Sequence, residues 1–133
     1  MTLRFLSVCS GIEAASVAFT QLGWGAVGFS EIERFPCEVL AHHYGSNMPG
    51  KELPANGIPN FGDFTTIPIG EDSPLGCVDI LVGGTPCQAF SVAGKRLSLE
   101  DARGNLTLAF TVLAHELVRF HGCKAAFWEN VPG

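Results

Sequence analysis

Cys87 stands in a setting suited to covalent chemistry. It follows a short apolar run and two glycines, and Pro86 immediately precedes it. The glycines allow the chain to turn sharply away from a strand, and the fixed φ of Pro86 holds the thiol in one direction. Because a cysteine thiolate is a strong nucleophile, the pattern predicts an attacking thiol at Cys87. The other cysteines are interpreted as small buried apolar side chains: Cys9, Cys37, Cys77 and Cys123.

Acidic residues follow three other predicted strands: Glu31, Asp63 and Glu129. Glu31 stands 20 residues after Gly11, a spacing typical of nucleotide sites in which a small-residue turn approaches the ligand and an acid binds ribose hydroxyls. Segment 9–14 holds a single glycine and lacks the pattern G-x-G-x-x-G. This disfavours a dinucleotide and favours an adenosine-bearing ligand without a pyrophosphate. An exposed carboxylate with no ligand is the alternative interpretation of Glu31.

The elements that must position these side chains alternate between short apolar strands and amphipathic helices. The predicted strands span 3–8, 26–29, 77–82 and 125–128, with a weak strand just before Gly62, and the predicted helices span 13–22, 35–44 and 105–121, the last with Asn105 as its N-cap. This alternation predicts an α/β fold, with a Rossmann-like parallel sheet covered by helices on both faces. Since ligands of such sheets bind outside the carboxyl ends of the strands, we expect the residues that follow the five strands to meet at one edge.

The composition excludes several classes of protein. An apolar content of 47% supports a folded core, and a net charge of −5 argues against a domain that grips nucleic acid by itself. The cysteines form no C-x-x-C pair and the histidines show no ligand spacing with carboxylates, so neither a metal site nor a disulfide framework is predicted. Because no signal peptide and no apolar stretch of membrane-spanning length is found, a protein of the reducing cytoplasm is expected.

Six short motifs occur in the same order as in the DNA (cytosine-5)-methyltransferases, and the chain resembles that family over essentially all of its length. The two most specific are Pro86-Cys87-Gln88 and Glu129-Asn130-Val131. The other four span 7–12, 30–33, 62–64 and 101–106. The family's first motif usually reads F-x-G-x-G-G, whereas here Cys9 replaces Phe and Glu13-Ala14 replace the later glycines. The aromatic residue that often follows the ribose-binding acid is Ile32 in this chain.

The resemblance implies the fold of S-adenosylmethionine-dependent methyltransferases, with S-adenosylmethionine as the methyl donor and no metal. It implies cofactor contacts at ten residues: Cys9, Ser10, Gly11, Ile12, Glu31, Ile32, Asp63, Phe64, Pro86 and Leu106. It also implies duplex DNA as the partner, with the target cytosine flipped out of the stack. The expected setting is a DNA-associated protein of bacterial or phage type in the cytoplasm.

The implied chemistry is methylation of cytosine at carbon 5 through a covalent intermediate. Cys87 would attack carbon 6, and Glu129, its pKa raised by burial between apolar neighbours, would supply a proton or hydrogen bond to ring nitrogen 3. Asn130 would brace the loop that carries Cys87. Arg103 is interpreted either as a contact to the base or a phosphate, or as a solvated loop charge. A DNA-facing loop is expected at Gln88, Ser91, Lys95 and Arg96.

The resemblance does not reach the family's target-recognition region. We therefore expect residues 1–133 to form a partial catalytic domain, C-terminally incomplete, whose fifth strand is an unpaired apolar edge. Such a chain is expected to be unstable, self-associated through that edge or inactive alone, as a truncated form or as one half of a split enzyme with a complementing C-terminal fragment. A non-catalytic remnant or interaction protein that retains the fold is the main alternative. A methyl-donor-dependent transferase of a small substrate is a second.

Overall fold

The computed structural model describes residues 2–86 and 102–129. These ranges form the following strands and helices: β1 Arg4–Val8, α1 Ala14–Thr20, β2 Gly25–Ser30, α2 Arg34–Tyr44, β3 Ile80–Gly83, α3 Ala102–His121 and β4 Ala125–Trp128. A 3₁₀ turn, Phe64–Thr66, lies in the connection between α2 and β3.

The strands form one parallel sheet in the order β2-β1-β3-β4. The chain moves outward from β1 to β2, returns past β1 to form β3, and moves outward again to β4. The direction of winding therefore reverses between β1 and β3, and ligands of open α/β sheets bind at such a point, beyond the carboxyl ends of the strands. The parallel α/β sheet predicted from the sequence is confirmed, and it is consistent with the S-adenosylmethionine-dependent methyltransferase fold.

Helices pack on both faces of the sheet because neighbouring residues of β1 point in opposite directions. Leu6 lies on the face covered by α3, where it joins a buried cluster with Phe110 and Leu117. Phe5 lies on the opposite face, where its ring contacts that of Phe19 in α1 edge-on, with centroids 5.0 Å apart. The sheet is thus buried on both faces at its centre, which fixes the carboxyl ends of β1 and β3 relative to each other.

β1 and β3 approach each other closely at their carboxyl ends because Gly83 has no side chain. A Cβ at this position would lie 2.7 Å from Val8 Cγ2 and 3.1 Å from the ring of Phe110 in α3. The glycine therefore allows two strands and a helix to meet directly below the edge where the predicted site residues emerge.

Two predicted strands differ in the structure. The strand predicted from residue 77 begins at Ile80, because the Val78 N–H donates to a carbonyl at the end of α3 and not to a neighbouring strand. The weak strand predicted before Gly62 is reduced to a single parallel bridge between Asn60 and Phe29. The sheet therefore extends beyond β2 by one bridge only.

The start of α3 also differs from the prediction. The helix begins at Ala102 and not after Asn105, so Asn105 lies inside the helix and is not its N-cap.

β4 forms one outer edge of the sheet, and all four of its residues are exposed. The two aromatic side chains are 51% exposed at Phe127 and 42% exposed at Trp128. Within residues 2–86 and 102–129, no helix combines the length and the apolar character needed to cross a membrane.

Candidate functional site

A pocket of about 350 Å³ opens at the carboxyl edge of the sheet, at the point where the winding reverses. Seven of the ten residues predicted to contact a cofactor line it: Cys9, Glu31, Ile32, Asp63, Phe64, Pro86 and Leu106. Ser30, Glu33, Gly62 and Gly84 complete the described lining. The fold thus brings together, in one concave site, residues that lie far apart in the sequence.

The other three predicted cofactor residues, Ser10, Gly11 and Ile12, follow β1 and lie outside this lining. Ser10 Oγ accepts from the Ser30 N–H at 3.1 Å, which joins the end of β1 to the end of β2. The Gly11 N–H donates to Glu31 Oε1 at 2.8 Å. The side chain of Ile12 is 63% exposed. Ser10 and Gly11 therefore hold the wall of the pocket in place.

Glu31 is held by three backbone donors. Besides the Gly11 contact, its Oε2 accepts from the N–H groups of Ile32 at 2.8 Å and Glu33 at 3.0 Å. A carboxylate has about four acceptor positions, two on each oxygen. Residues 2–86 and 102–129 use three of these positions, which leaves one on Oε1 for a ligand hydroxyl.

Asp63 and Phe64 also line the pocket. Asp63 Oδ1 accepts from the Thr65 N–H at 2.9 Å and from the Thr65 hydroxyl at 2.7 Å, and it caps the 3₁₀ turn while remaining exposed. Phe64 is 6% exposed and joins the core below α3. The aromatic ring is therefore a floor for the pocket, and the carboxylate stands at its rim.

The Cys9 thiol is not suited to act as a nucleophile. Burial, together with the nearby carboxylates of Glu31 and Asp63, raises the pKa of Cys9 to about 11. The group is therefore a neutral thiol at physiological pH. The small side chain of Cys9 leaves space in the pocket where the family usually has Phe.

Of the four cysteines interpreted as buried, Cys37 and Cys123 are buried and Cys9 is partly buried. The interpretation is wrong for Cys77, which is exposed because it lies in the connection before β3 and not in the strand.

Glu13 is a charged residue whose burial the sequence did not predict. Its side chain is fully buried, and the residue adopts a left-handed conformation with φ of 71°. Oε1 accepts from the Ser16 N–H at 3.0 Å and caps α1, whereas Oε2 has no hydrogen-bond partner among the described residues. Burial raises the pKa of Glu13, and the nearby hydroxyls of Ser7 and Ser10 only partly offset this. The replacement of a family glycine by Glu was the available signal.

Glu129 lies beside the turn that leads to Cys87. Its N–H donates to the Gly83 carbonyl at 2.9 Å. A Cβ at Gly84 would lie 3.7 Å from Glu129 Oε2, so the carboxyl group faces the backbone three residues before Cys87. Glu129 is exposed in the structure, and the burial expected from its apolar neighbours is not found.

Thr85 connects this turn to the rest of the sheet edge. Its side chain is buried, its Oγ1 accepts from Trp128 Nε1 at 3.0 Å, and it lies 3.4 Å from the hydroxyl of Thr107 in α3. Thr85 immediately precedes Pro86. Thr85, two residues before Cys87, is therefore anchored to β4 and α3, and no local sequence pattern predicted these contacts.

Several predicted residues lie outside the described residues: Cys87, Gln88, Ser91, Lys95, Arg96 and Asn130. Arg103 falls in the first turn of α3 and not in a loop, and its side chain is likewise outside the description. Among the parts of the chain that the structure describes, no three His, Cys, Asp or Glu side chains are grouped so as to hold a metal ion.

Comparison with known proteins identifies related sequences. A family described as C-5 cytosine-specific DNA methylase matches residues 3–133. A protein of Escherichia phage P1 named DNA N-6-adenine-methyltransferase is 44% identical over 141 residues, covering 98% of this chain and 17% of that protein. Orphan methyltransferase M.SPRI of Bacillus phage SPR is 36% identical over 135 residues, covering 98% of this chain and 27% of that protein.

A third relative differs in how much of its own length is matched. Type II methyltransferase M.AquIA of Picosynechococcus sp. is 29% identical over 133 residues, which cover all of this chain and 50% of that protein. The chain thus spans between about a sixth and a half of the length of these relatives.

Proposed function

We propose that this chain, which belongs to the C-5 cytosine-specific DNA methylase family, carries the cofactor pocket and the nucleophile of a methyltransferase. The proposed enzyme methylates cytosine in DNA at carbon 5. The observation that carries the proposal is the position of Glu129 beside Gly84, which lines the same pocket as Glu31 and Asp63. Because the relatives are longer, the complete reaction is assigned to this chain together with the additional part that they have.

The pocket fits S-adenosylmethionine as the methyl donor. Its volume of about 350 Å³ lies within the range of small-molecule sites. The free acceptor position on Glu31 suits a ribose hydroxyl, and the aliphatic side chains of Ile32 and Leu106 offer a surface for a flat base. Three carboxylates and no basic side chain belong to the described lining, which favours a ligand with a positive centre. When bound, S-adenosylmethionine supplies an electrophilic methyl group.

Cys87 is the proposed nucleophile toward cytosine. Carbon 5 of cytosine is a poor nucleophile, and a thiolate that adds to carbon 6 converts the ring into an enamine-like species with electron density on carbon 5. Departure of the carbon 5 proton and elimination of the thiolate restore the aromatic ring after methylation. The anchoring of Thr85 supports this role, because it fixes the start of the segment that presents Cys87.

Glu129 is the proposed acid at ring nitrogen 3. The carboxyl group is exposed in the described structure, and a flipped cytosine would cover it and form a hydrogen bond with it through ring nitrogen 3. Asn130, the neighbour of Glu129, is proposed to brace the segment that carries Cys87. Both roles follow from the family to which the chain belongs.

DNA is proposed to contact the segment that follows Cys87. The proposed contacts are Gln88, Ser91, Lys95 and Arg96, with Arg103 at the start of α3 either touching the base or a phosphate or remaining solvated. A chain with a net charge of −5 cannot supply most of the phosphate contacts. The larger share is therefore assigned to a complementing C-terminal part, in the same polypeptide or in a second one.

The name of the phage P1 relative points to adenine, but that activity is not assigned to this chain. The match covers 17% of that protein, so its named activity can reside in the rest of it. The paired motifs at Cys87 and Glu129 favour cytosine, since an attacking thiol serves addition to carbon 6. A non-catalytic remnant would bind the cofactor without transferring a methyl group.

Transfer of a labelled methyl group tests the proposal. The chain is incubated with labelled S-adenosylmethionine and duplex DNA, alone and with the C-terminal part of M.SPRI, and the DNA is digested to nucleosides. We expect labelled 5-methylcytosine in the complemented reaction. Labelled N6-methyladenine would overturn the assignment of the base, and cofactor binding without any transfer would favour the remnant.

A further inference from the structure

Asn60 lies directly behind the cofactor pocket and is 4% exposed. It forms the bridge to Phe29 with which the sheet ends beyond β2. The Phe29 N–H donates to the Pro59 carbonyl at 2.8 Å, and the Phe61 N–H donates to the Phe29 carbonyl at 2.8 Å. Backbone pairing stops there, two residues before Glu31.

The side chain of Asn60 continues this pairing in place of a strand. Its Oδ1 accepts from the Glu31 N–H at 3.0 Å, and its Nδ2 donates to the Glu31 carbonyl at 3.2 Å. The amide thus satisfies both backbone groups of Glu31, as a neighbouring strand would. A second donor, the Gly62 N–H, reaches the same Oδ1 at 3.0 Å.

These contacts determine the orientation of the amide. Oδ1 faces two N–H groups, and Nδ2 faces the Glu31 carbonyl and the Cys37 sulfur, the latter at 3.3 Å. If the amide were reversed, its NH₂ group would face two N–H donors and its oxygen would face a carbonyl oxygen, so no hydrogen bond could form with either. Asn47 fixes the backbone of Asn60 from the other side. Its Oδ1 accepts from the Asn60 N–H at 2.8 Å, and its Nδ2 donates to the Asn60 carbonyl at 2.9 Å.

The consequence concerns two carboxylates of the pocket. Glu31 and Asp63 stand on separate segments, and Asn60 bonds to the backbone of Glu31 and to the residue just before Asp63. Because the amide replaces strand pairing, the chain at Gly62 is free to leave the sheet and carry Asp63 to the rim. The Asn60 amide, together with the Ser30 hydroxyl, which donates to the Gly62 carbonyl, therefore sets the separation of the two groups.

We propose that Asn60 is a positioning residue that holds Glu31 and Asp63 at the separation required by an adenosine-bearing cofactor, without touching the cofactor. The inference rests on the proposed function, because the cofactor is the ligand whose affinity reports the alignment. The position needs one acceptor for two N–H groups and one donor for a carbonyl, and an apolar side chain offers neither.

The first test is the affinity of the chain for S-adenosylmethionine, measured by calorimetry for wild type and Asn60→Ala. We expect Kd to rise about tenfold or more, the effect of one or two buried hydrogen bonds. Val78→Ala is the matched control, since Val78 is fully buried at the opposite end of the sheet from the pocket. Its Kd should equal that of wild type. An unchanged Kd for Asn60→Ala would overturn the proposal.

The second test is a pH profile of Asn60→Asp. The ionised side chain of the variant can still accept from the Glu31 and Gly62 N–H groups, but its second oxygen repels the Glu31 carbonyl oxygen. The protonated acid donates a hydrogen bond to that carbonyl and so restores the contact that the Asn60 amide makes. Because position 60 is buried, we expect the pKa of the new carboxyl to be raised, so that the ratio of variant Kd to wild-type Kd falls as the pH is lowered from about 8 to about 5. The titratable groups that face position 60 are present in both proteins: the carboxyls of Glu31, Glu33 and Asp63 and the thiol of Cys37. A ratio independent of pH would contradict the donor role.

Amide exchange separates failure of this inference from failure of the proposed function. If wild type does not bind S-adenosylmethionine, the cofactor assignment fails. The positioning of Glu31 and Asp63 by Asn60 is then tested by hydrogen exchange of the Glu31 and Gly62 backbone amides, which requires no ligand. Their protection should be lost selectively in Asn60→Ala and kept in Val78→Ala. Retained protection of both amides in Asn60→Ala would refute the positioning role.

Discussion

Glu13 is a carboxyl group that water does not reach, and burial raises its pKa above the ordinary value of 4.5. Ionisation is therefore harder in the folded state than in the unfolded state. The folded protein consequently loses stability as the pH rises from below 4.5 through the raised value. Glu13→Gln removes the ionisation and keeps the acceptor for Ser16. We expect the variant to gain stability relative to wild type over this pH range, measured by urea unfolding at a series of pH values.

Glu52→Gln provides the control for that experiment, because Glu52 is exposed on a loop. Its unfolding free energy should follow the wild-type pH dependence. A constant difference between Glu13→Gln and wild type at all pH values would show that Glu13 ionises normally in the folded protein.

Trp128 donates to Thr85 and thereby anchors the segment before Cys87. Trp128→Phe removes the N–H and keeps most of the ring. We expect the rate of covalent adduct formation with DNA to fall about tenfold, with an unchanged Kd for S-adenosylmethionine. Trp24→Phe is the matched control, because Trp24 packs on Phe19 on the other face of the sheet. An equal loss of rate in both variants would assign the effect to general destabilisation.

The residues of the site differ in how far the sequence predicted them. The catalytic roles of Cys87 and Glu129, which stay predictions, were inferred because their neighbours form short, specific motifs. The roles of Thr85 and Asn60 were not, because their partners lie 43 and 29 residues away and no local pattern marks a single buried hydroxyl or amide. Such contacts depend on the register of the folded sheet.

At the scale of elements, β1 and β3 meet where the site begins. Gly83→Ala would force Val8 or the ring of Phe110 to move, because the added Cβ would lie 2.7 Å from Val8 Cγ2. We expect a loss of about 1–3 kcal/mol in the free energy of unfolding, measured by chemical denaturation. Gly25→Ala is the matched control, because no atom lies within 4 Å of its added Cβ. If Gly83→Ala lowers the free energy of unfolding no more than Gly25→Ala does, the close approach of β1 and β3 does not require a glycine at this position.

The periodicity of apolar residues predicted which segments are strands and which are helices, but it did not predict the residues at which they begin and end. β1, β2 and β4 were predicted as strands because each is a short apolar run closed by polar residues or glycine. The strand before Gly62 failed to form because the Asn60 side chain pairs with Glu31 in place of a backbone. The start of α3 was placed too late because Asn105 resembles an N-cap whichever residues precede it.

At the scale of the whole molecule, β4 is an exposed apolar edge. Phe127→Glu places a charge on this edge, and charges on edge strands oppose pairing with another chain. We expect the self-association constant of the isolated chain to fall about tenfold, measured by sedimentation velocity. Phe35→Glu on α2, where the ring is 69% exposed, is the matched control and should leave association unchanged. Equal association of wild type and both variants would locate the interface elsewhere.

Fold class and family were predictable because six motifs and an alternating pattern extend over the chain and agree with each other. The acidic charge indicated that the chain does not grip DNA alone. The exposure of Glu129 was not predictable from its apolar neighbours, because burial at a sheet edge depends on what packs over that edge.

The central claim, that Cys87 attacks cytosine beside Glu129, is tested by covalent trapping. Duplex DNA carrying 5-fluorocytosine is incubated with S-adenosylmethionine and the complemented chain, and the adduct is digested and mapped by mass spectrometry. The account predicts a stable adduct on the peptide that contains Cys87, absent in Cys87→Ala and retained in Cys77→Ala. An adduct on another residue, or DNA methylation at full rate by Cys87→Ala, would contradict it.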